Sequence, residues 1–184
     1  MADEFERRFL IADPAVLEGL EGTRIEQGYL PVTAPTSVRV RRTEGVDGNA
    51  AFLTIKKGRS SRHRLEFEYP IPLEDARTLL AEVCGDDRVS KTRYRLEHAG
   101  RIWELDRFED ANAPLLVAEI ELPGTDTAFP RPPWLGSEIS DDPRLLNVNL
   151  CRRPLADWPA AERAALLEGQ ERGPGRPPEQ ETTT

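Results

Sequence analysis

The chain has 184 residues and a formal net charge of −8, from 25 Lys and Arg against 33 Asp and Glu. That length fits one domain with a sizeable core, and the acidic surface should repel nucleic acids and anionic membranes. No apolar run is long enough to cross a bilayer, and the N-terminus lacks the layout of a signal peptide. We therefore predict a cytoplasmic protein with no nucleic-acid or membrane partner, in which Cys84 and Cys151 are ordinary thiols.

An alternation of apolar and polar residues dominates the chain from residue 4 to residue 122. We predict eight strands, at residues 4–11, 24–31, 37–42, 50–56, 64–71, 91–97, 101–108 and 115–122. Polar or glycine-containing stretches at residues 45–48, 57–61 and 98–100 mark turns between strands. This pattern predicts a mainly β fold.

Helical spacing interrupts the strands at residues 72–84, where Glu74 and Asp75 fall in the first turn. We predict an amphipathic helix there that packs on the outside of the sheet. Residues 123–134 are rich in proline and predict an irregular segment that caps one end of a barrel. A second helix is predicted at residues 157–168. Residues 169–184 contain almost no apolar side chain, which predicts a disordered tail.

The polar faces of the strands carry an unusual number of ionised residues. Side chains at positions i and i+2 of a strand lie on the same side of the sheet. Six strands carry two or three charged residues on one side: Glu4, Glu6 and Arg8; Arg39 and Arg41; Glu66 and Glu68; Lys91, Arg93 and Arg95; Glu104 and Asp106; Glu119 and Glu121. The opposite sides are apolar, which indicates that they pack against other parts of the chain.

Any one of these charged faces, taken alone, can be a solvated surface. Like charges at i and i+2 lie about 7 Å apart and repel one another with no gain in stability. The faces together make better sense if they turn inward around an anion and its metal cations. A sheet of eight strands can close around one small ligand. We therefore predict an α+β, mainly β fold: an eight-stranded antiparallel closed β-barrel tunnel with helices packed outside.

Such a tunnel would contain the residue types that phosphate chemistry needs. Arginine and lysine hold phosphate oxygens through charge-assisted hydrogen bonds, and carboxylates bind hard divalent ions such as Mg²⁺. Phosphoryl transfer depends mainly on positioning and on neutralisation of charge. This chemistry requires no nucleophilic Ser or Cys.

The same residues resemble the CYTH domain, the family of triphosphate tunnel metalloenzymes. Residues 4–8, Glu-Phe-Glu-Arg-Arg, are similar to its ExExK signature, and residues 27–30, Gln-Gly-Tyr-Leu, resemble its QGYL segment. The other strands with a counterpart in the family are residues 38–41, 52–56, 66–68, 91–94, 103–106 and 118–121. The resemblance spans roughly residues 3–150 and implies a tunnel domain over residues 1–155. The helical pattern and the composition of the remainder add a C-terminal helix packed on the domain at 156–168, and the tail.

The resemblance also implies roles for individual residues. The substrate-binding residues would be Arg8, Arg39, Arg41, Lys56, Lys91 and Arg93. The ligands of Mg²⁺ or Mn²⁺ would be Glu4, Glu6, Glu119 and Glu121. Additional acidic residues of the tunnel wall would be Glu66, Glu68, Glu104 and Asp106. The catalytic residues would be Lys56 and Tyr29, which would activate the attacking water, and a glutamate acting through a second metal is the competing base.

Two departures from the family pattern bear on function. Arg8 takes the place of the last lysine of the signature, which keeps the charge but removes any role that needs a titratable amine. Residues 141–147 fit the plug helix of the family only loosely, with Leu145 or Leu146 where tyrosine is common. Closure of the tunnel end and substrate size therefore stay open.

The leading hypothesis is an inorganic triphosphatase that converts tripolyphosphate to pyrophosphate and phosphate, because no base or thiazole pocket is recognisable. A nucleoside or thiamine triphosphatase, or a class IV-type adenylate cyclase, is the alternative among enzymes, with residues 130–134 as the candidate organic-group site. A non-catalytic module that binds polyphosphate or nucleotide is the alternative from another class. In each case we expect a small triphosphate partner and a monomer or homodimer.

Overall fold

The computed structural model describes residues 3–46, 48–58 and 63–171, without the side chains of residues 3, 4, 58, 64 and 171. The strands of the described part are β1 (Asp3–Ile11), β2 (Gly22–Tyr29), β3 (Thr36–Gly45), β4 (Gly48–Gly58), β5 (His63–Pro70), β6 (Arg88–His98), β7 (Arg101–Phe108), β8 (Leu116–Leu122) and β9 (Leu135–Glu138). The α-helices are α1 (Leu73–Thr78), α2 (Asn147–Arg152) and α3 (Ala160–Glu171). Short 3-10 turns are found at Pro14–Leu17, Asp110–Asn112, Pro143–Leu145 and Leu155–Asp157.

The strands form one antiparallel sheet in the order β5-β4-β3-β2-β6-β7-β8-β1-β9. Every strand that the alternation predicted is present, and helices pack on the sheet, so the predicted mainly β antiparallel fold is confirmed. β3 and β4 are longer than predicted. Gly45 pairs with Gly48, so the predicted turn between these strands is paired at both of its ends.

The closed eight-stranded barrel needs correction in two respects. The second edge of β1 is shared, because Asp3 to Phe5 pair with β5 while Phe9 and Ile11 pair with β9. Among the described residues, three pairs join β5 to β1, and β9 at the other end of the strand order does not pair with β5, so the sheet is not fully closed. The ninth strand, β9, has no alternating pattern. A Cβ at its Gly136 would lie 3.0 Å from the carbonyl oxygen of Leu10, so glycine permits this close approach to β1.

The helix predicted at residues 72–84 forms and packs on the outer face of the sheet, as expected. It begins as α1 and continues as a π-helical turn at Leu79–Val83. Ala76, Leu80 and Cys84 are buried against Val40 and Ala51 of β3 and β4. Burial of these apolar side chains, at about 25 cal/mol per Å², is what holds the short helix in place.

The sequence predicted that the proline-rich segment at residues 123–134 caps one end of a barrel. In the structure the segment does not cap an end of the sheet. Phe129 and Trp134 pack on the Trp103 ring, with centroids 5.5 and 5.4 Å away. They belong to the cluster on the outer face of β1, β7 and β8 that includes Phe9 and Ile120. That face is apolar, and α1 packs on β3 and β4, so the irregular segment covers it instead.

Residues 139–158, which we call the plug segment, close one end of the inner face. Their buried apolar side chains are Ile139, Leu145, Leu150, Cys151, Leu155 and Trp158. These pack against inner-face residues of four strands: Leu10, Val89, Phe108 and Val117. The plug segment was expected around residues 141–147, and Leu145, which is 2% exposed, does lie in it.

The second predicted helix forms as α3, three residues later than expected, because Pro159 fits just before a first helical turn. α3 includes residues 169–171 of the predicted tail, and the backbone amide of Leu116 donates to Gln170 Oε1 at 3.0 Å. The rest of the predicted tail, residues 172–184, lies outside the described residues. No helix of the described chain has the length and apolar character needed to cross a membrane.

Candidate active site

A cavity of about 760 Å³ lies between the inner face of the sheet and the plug segment. The sequence-predicted residues that line it are Glu6, Arg8, Tyr29, Arg39, Arg41, Lys56, Glu66, Glu68, Arg93, Glu104, Glu119 and Glu121. Strand alternation brings them together, since each is in step with its strand neighbours on one face. Two predicted site residues, Lys91 and Asp106, do not line the cavity, and the side chain of Glu4 lies outside the description.

A row of polar side chains crosses β3, β4 and β5 in register. Arg39 pairs with Thr54, and Thr54 pairs with Glu68. Arg39 Nη2 donates to Thr54 Oγ1 at 3.1 Å and lies 3.3 Å from Glu68 Oε2. The fully buried Thr54 hydroxyl donates to the same Glu68 oxygen at 2.8 Å. Thr54 thus fixes Arg39 and Glu68 relative to each other, a role that its two-residue spacing from Lys56 could have suggested.

Arg41 lies in the next row, and its positive charge is less fully compensated by carboxylates. Its Nη2 donates to both oxygens of Glu68, at 2.9 and 3.0 Å, and its guanidinium carbon lies 5.2 Å from the centre of the Phe52 ring. Burial, followed by the charge of Arg39, lowers the pKa of Arg41, with Glu68 opposing. The buried Nε atoms of Arg39 and Arg41 donate no hydrogen bond to any described residue. These are strong donors without an acceptor.

Lys56 and Tyr29, the predicted catalytic residues, both line the cavity. Lys56 Nζ lies 2.8 Å from Glu66 Oε2. The Tyr29 hydroxyl accepts a hydrogen bond of 3.0 Å from Nε2 of Gln27, which is fully buried behind it. Gln27 therefore orients the Tyr29 hydroxyl, and the sequence analysis assigned it no such role.

Arg93 is the centre of a buried charge network. Its Nε and Nη2 donate to Asp106 Oδ1 and Oδ2, both at 2.6 Å, Nη2 donates to Glu119 at 2.5 Å, and Nη1 donates to Glu104. Burial disfavours the charge, but Asp106 and Glu119 raise the pKa of Arg93 well above its ordinary value. Behind Arg93, Lys91 donates to Asp106, and both are almost completely buried. Burial and the charge of Arg93 lower the pKa of Lys91, with Asp106 opposing.

Carboxylates face each other across the strands of the acidic wall. Glu6 is in register with Glu121, and Glu104 with Glu119. Like charges in register destabilise a sheet, and Arg93 relieves the second pair by bridging it. Glu6 lies 3.3 Å from Arg8 Nε, whereas Glu121 makes no ion pair with the described residues. Burial opposes the charge of Glu119, yet cations led by Lys91 and Arg93 hold its pKa well below the ordinary value.

These carboxylates fit a hard divalent ion in chemistry, since Mg²⁺ and Mn²⁺ prefer oxygen ligands. In the described part of the chain, no three acidic, His or Cys side chains converge as a ready metal centre. Arg8 holds Glu6 towards itself, and Arg93 does the same with Glu119. This is a physical reason why the carboxylates do not converge. The role of Glu4, Glu6, Glu119 and Glu121 as metal ligands stays a prediction.

Apolar side chains also line the cavity. They are Leu30, Val32, Ala34, Pro35, Leu146 and Val148. The sequence pointed to residues 130–134 as the candidate contact for an organic group, but Trp134 is buried on the outer face and does not line the cavity. The apolar part of the lining was missed because it comes from two stretches that lie more than a hundred residues apart in the chain.

Cations and carboxylates are paired across neighbouring strands around one cavity. Comparison with known protein families identifies the class of protein to which this arrangement belongs. The family model of the CYTH domain matches residues 2–150, so the chain belongs to the CYTH domain family, as the sequence motifs predicted.

Particular relatives narrow the comparison. The chain is 37% identical over 158 residues to an inorganic triphosphatase of Acetivibrio thermocellus, covering 86% of this chain and 99% of the relative. It is 36% identical over 151 residues to an inorganic triphosphatase of Nitrosomonas europaea, covering 80% of this chain and 95% of the relative. A solved structure of an inorganic triphosphatase superposes with a TM-score of 0.58 at 33% identity, over 82% of this chain and 95% of the other.

Proposed function

We propose that the chain hydrolyses inorganic tripolyphosphate to pyrophosphate and phosphate with the help of Mg²⁺ or Mn²⁺. One water is consumed: its oxygen forms a bond to a terminal phosphorus, the bridging P–O bond breaks, and pyrophosphate leaves. Two relatives that are inorganic triphosphatases, each more than one third identical to this chain, support the proposal.

The observation that carries the proposal is the state of the arginines on β3. The buried Nε atoms of Arg39 and Arg41 lack an acceptor among the described residues. A buried donor left unpaired costs about 1–3 kcal/mol. Phosphate oxygens would satisfy such donors once the guanidinium groups turn towards the cavity, and the planar arginine forks suit phosphate oxygens. The same arrangement favours a polyanion over a neutral substrate, because burial and Arg39 already disfavour the charge on Arg41.

Other residues would supply positioning. Glu68 and Thr54 hold Arg39, and Glu68 also holds Arg41, so the forks are in place before substrate arrives. Lys56, which is paired with Glu66, and Tyr29, which is held by Gln27, would orient the attacking water. Arg93 would present a fixed positive charge to the phosphate chain, since three carboxylates anchor it.

Glu6, Glu119 and Glu121, together with Glu4, would hold the divalent ion. When bound, such an ion neutralises phosphate charge and stabilises the transition state of phosphoryl transfer. The depressed pKa of Glu119 keeps its carboxylate ionised at neutral pH. Glu119 therefore suits a ligand better than a general base.

The test is phosphate release from tripolyphosphate, ATP and thiamine triphosphate, each with Mg²⁺, Mn²⁺ or EDTA. Lys56→Ala has a matched control in Lys57→Ala, because Lys57 is the neighbouring lysine on the opposite face of β4 and is exposed. We expect metal-dependent turnover of tripolyphosphate that Lys56→Ala abolishes and Lys57→Ala leaves intact. Equal loss in both variants would contradict the assignment of the site.

A second candidate has one observation in its favour. The apolar lining residues Val32, Pro35, Leu146 and Val148 could contact an organic group, and the cavity falls in the range of roughly 300–1,000 Å³ that is usual for drug-sized ligands. Faster release from ATP or thiamine triphosphate than from tripolyphosphate would favour this nucleoside or thiamine triphosphatase. Tight tripolyphosphate binding without any turnover would instead favour a binding module.

A further inference from the structure

Arg8 joins the inner face of β1 to the plug segment. Its side chain is 4% exposed. Nη1 donates to the carbonyl oxygen of Leu145 at 2.9 Å, and Nη2 donates to that of Ser140 at 3.5 Å. Its main chain also takes part: the Arg8 amide donates to Ser140 Oγ at 3.0 Å, and the Ile139 amide donates to the Arg8 carbonyl at 2.8 Å. Strand and plug segment are therefore tied at one residue.

The contacts of Arg8 depend on the shape of its guanidinium. Nε lies 3.3 Å from Glu6 Oε1 while the two Nη atoms reach two separate carbonyls. A planar fork with five donors can make these contacts at once, whereas the ammonium of a lysine is a compact point charge on a flexible stem. An arginine at this position can therefore hold the plug segment in a way that a lysine cannot.

The plug segment is part of the cavity wall. Ser140, Asp141, Leu146 and Asn147 all line the same cavity as Arg8. Any displacement of Ser140 or Leu145 from Arg8 would therefore change the shape of the end of the cavity.

We propose that Arg8 is a positioning residue that holds the plug segment against β1 and so sets the end of the cavity. This role goes beyond a contact with phosphate and gives a physical reason for arginine at the last position of the signature. The kinetic consequence rests on the proposed triphosphatase function. The mechanical consequence does not, because it concerns the protein without substrate.

The test compares Arg8→Lys and Arg8→Met with the control Arg42→Lys by hydrogen exchange and mass spectrometry of the full-length protein. Arg42 is a partly buried arginine that pairs with Glu26 and Glu44, away from the plug segment. The reporting amides are hydrogen-bonded within the plug segment, among them those of Leu145, Leu146, Asn149 and Leu150. We expect about tenfold faster exchange of these amides in both Arg8 variants, since each loses hydrogen bonds from a charged donor.

Three results would overturn the proposal. Native exchange in Arg8→Lys with fast exchange in Arg8→Met would mean that charge alone is required. Faster exchange over the whole chain would mean a general loss of stability. Equal exchange in all variants would mean that Arg8 does not hold the plug segment.

Kinetics with tripolyphosphate add a readout that a purely structural role would not move. In Arg8→Lys we expect kcat to fall about tenfold while KM changes less than about threefold, because positive charge stays at the wall but the end of the cavity is loosened. A rise in KM with unchanged kcat would overturn the positioning role. Absence of turnover in the native chain would contradict the proposed function and leave the exchange experiment decisive for Arg8.

Discussion

Arg41 on β3 and Arg93 on β6 line the same cavity, yet the protein treats their charges in opposite ways. Arg93 is bound by Asp106, Glu104 and Glu119, and its pKa is raised despite burial. Arg41 shares one carboxylate, Glu68, with Arg39, keeps an unpaired Nε, and has a lowered pKa. The difference separates a cation that three carboxylates hold in place from one whose hydrogen-bond donors are not all paired.

Loss of the buried carboxylate that binds Arg93 should give the largest effect on the free energy of unfolding. Asp106→Asn would leave Lys91 and Arg93 without their shared carboxylate, and breaking a buried ion pair costs about 3–5 kcal/mol. Urea denaturation should show that loss in the free energy of unfolding. Glu104→Gln, at a more exposed partner of Arg93, should cost about 1 kcal/mol or less. Similar losses in the two variants would refute the distinction between buried anchor and cavity wall.

Next in size is the effect of Arg41 on catalysis. Arg41→Ala should lower kcat/KM for tripolyphosphate about 10²-fold, because it removes charge-assisted hydrogen bonds to the substrate. The neighbouring Arg42 lies on the opposite face of β3 and pairs with Glu26 and Glu44. Arg42→Ala should therefore change kcat/KM less than about twofold. The measurement is steady-state kinetics on both variants. Equal losses of kcat/KM would contradict the role assigned to Arg41.

A smaller effect should come from the hydroxyl that organises the β3 wall. Thr54→Val keeps the shape of the side chain but removes the bond to Glu68, so Arg39 loses part of its support. We expect kcat/KM to fall about tenfold. The control is Thr43→Val, because Thr43 Oγ1 donates to the Ala50 carbonyl at 3.3 Å and does not line the cavity. An unchanged rate in Thr54→Val would remove Thr54 from the site.

The last expected effect is on the pH dependence of stability. A depressed folded-state pKa means that Glu119 contributes stability above the ordinary glutamate pKa of about 4.3, and that this contribution is lost as pH falls from there towards the folded-state pKa. The stability gap between the native chain and Glu119→Gln should be constant from pH 7 to about pH 5. Below that it should shrink by up to about 1.4 kcal/mol per pH unit. A gap that widened on acidification would contradict the pKa direction.

The strands and their charged face could be predicted because alternation is a local property of the sequence. Alternation does not show which residues of a charged face line the cavity and which lie behind it. Lys91 and Arg93 share a face, but only the pairing of β6 with β7 and the position of the plug segment determine that Arg93 lines the cavity while Lys91 lies behind it. Thr54 and Gln27, whose roles sequence reasoning missed, are uncharged. Thr54 acts through partners on other strands, and Gln27 through a partner on its own strand.

The errors in the predicted fold have a common origin as well. Phe129 and Trp134 cover an apolar outer face that exists only once β1, β7 and β8 have assembled. β9 pairs with β1 through a glycine that allows close approach, and no periodic pattern announces it. Both depend on tertiary packing, which can override local sequence preference.

Cleavage of tripolyphosphate can be followed by phosphorus NMR of tripolyphosphate incubated with the native chain and Mg²⁺. We predict that the tripolyphosphate signals decay while pyrophosphate and phosphate appear in equal amounts. Tripolyphosphate signals that shift on binding but do not decay, with either Mg²⁺ or Mn²⁺, would contradict the proposed function.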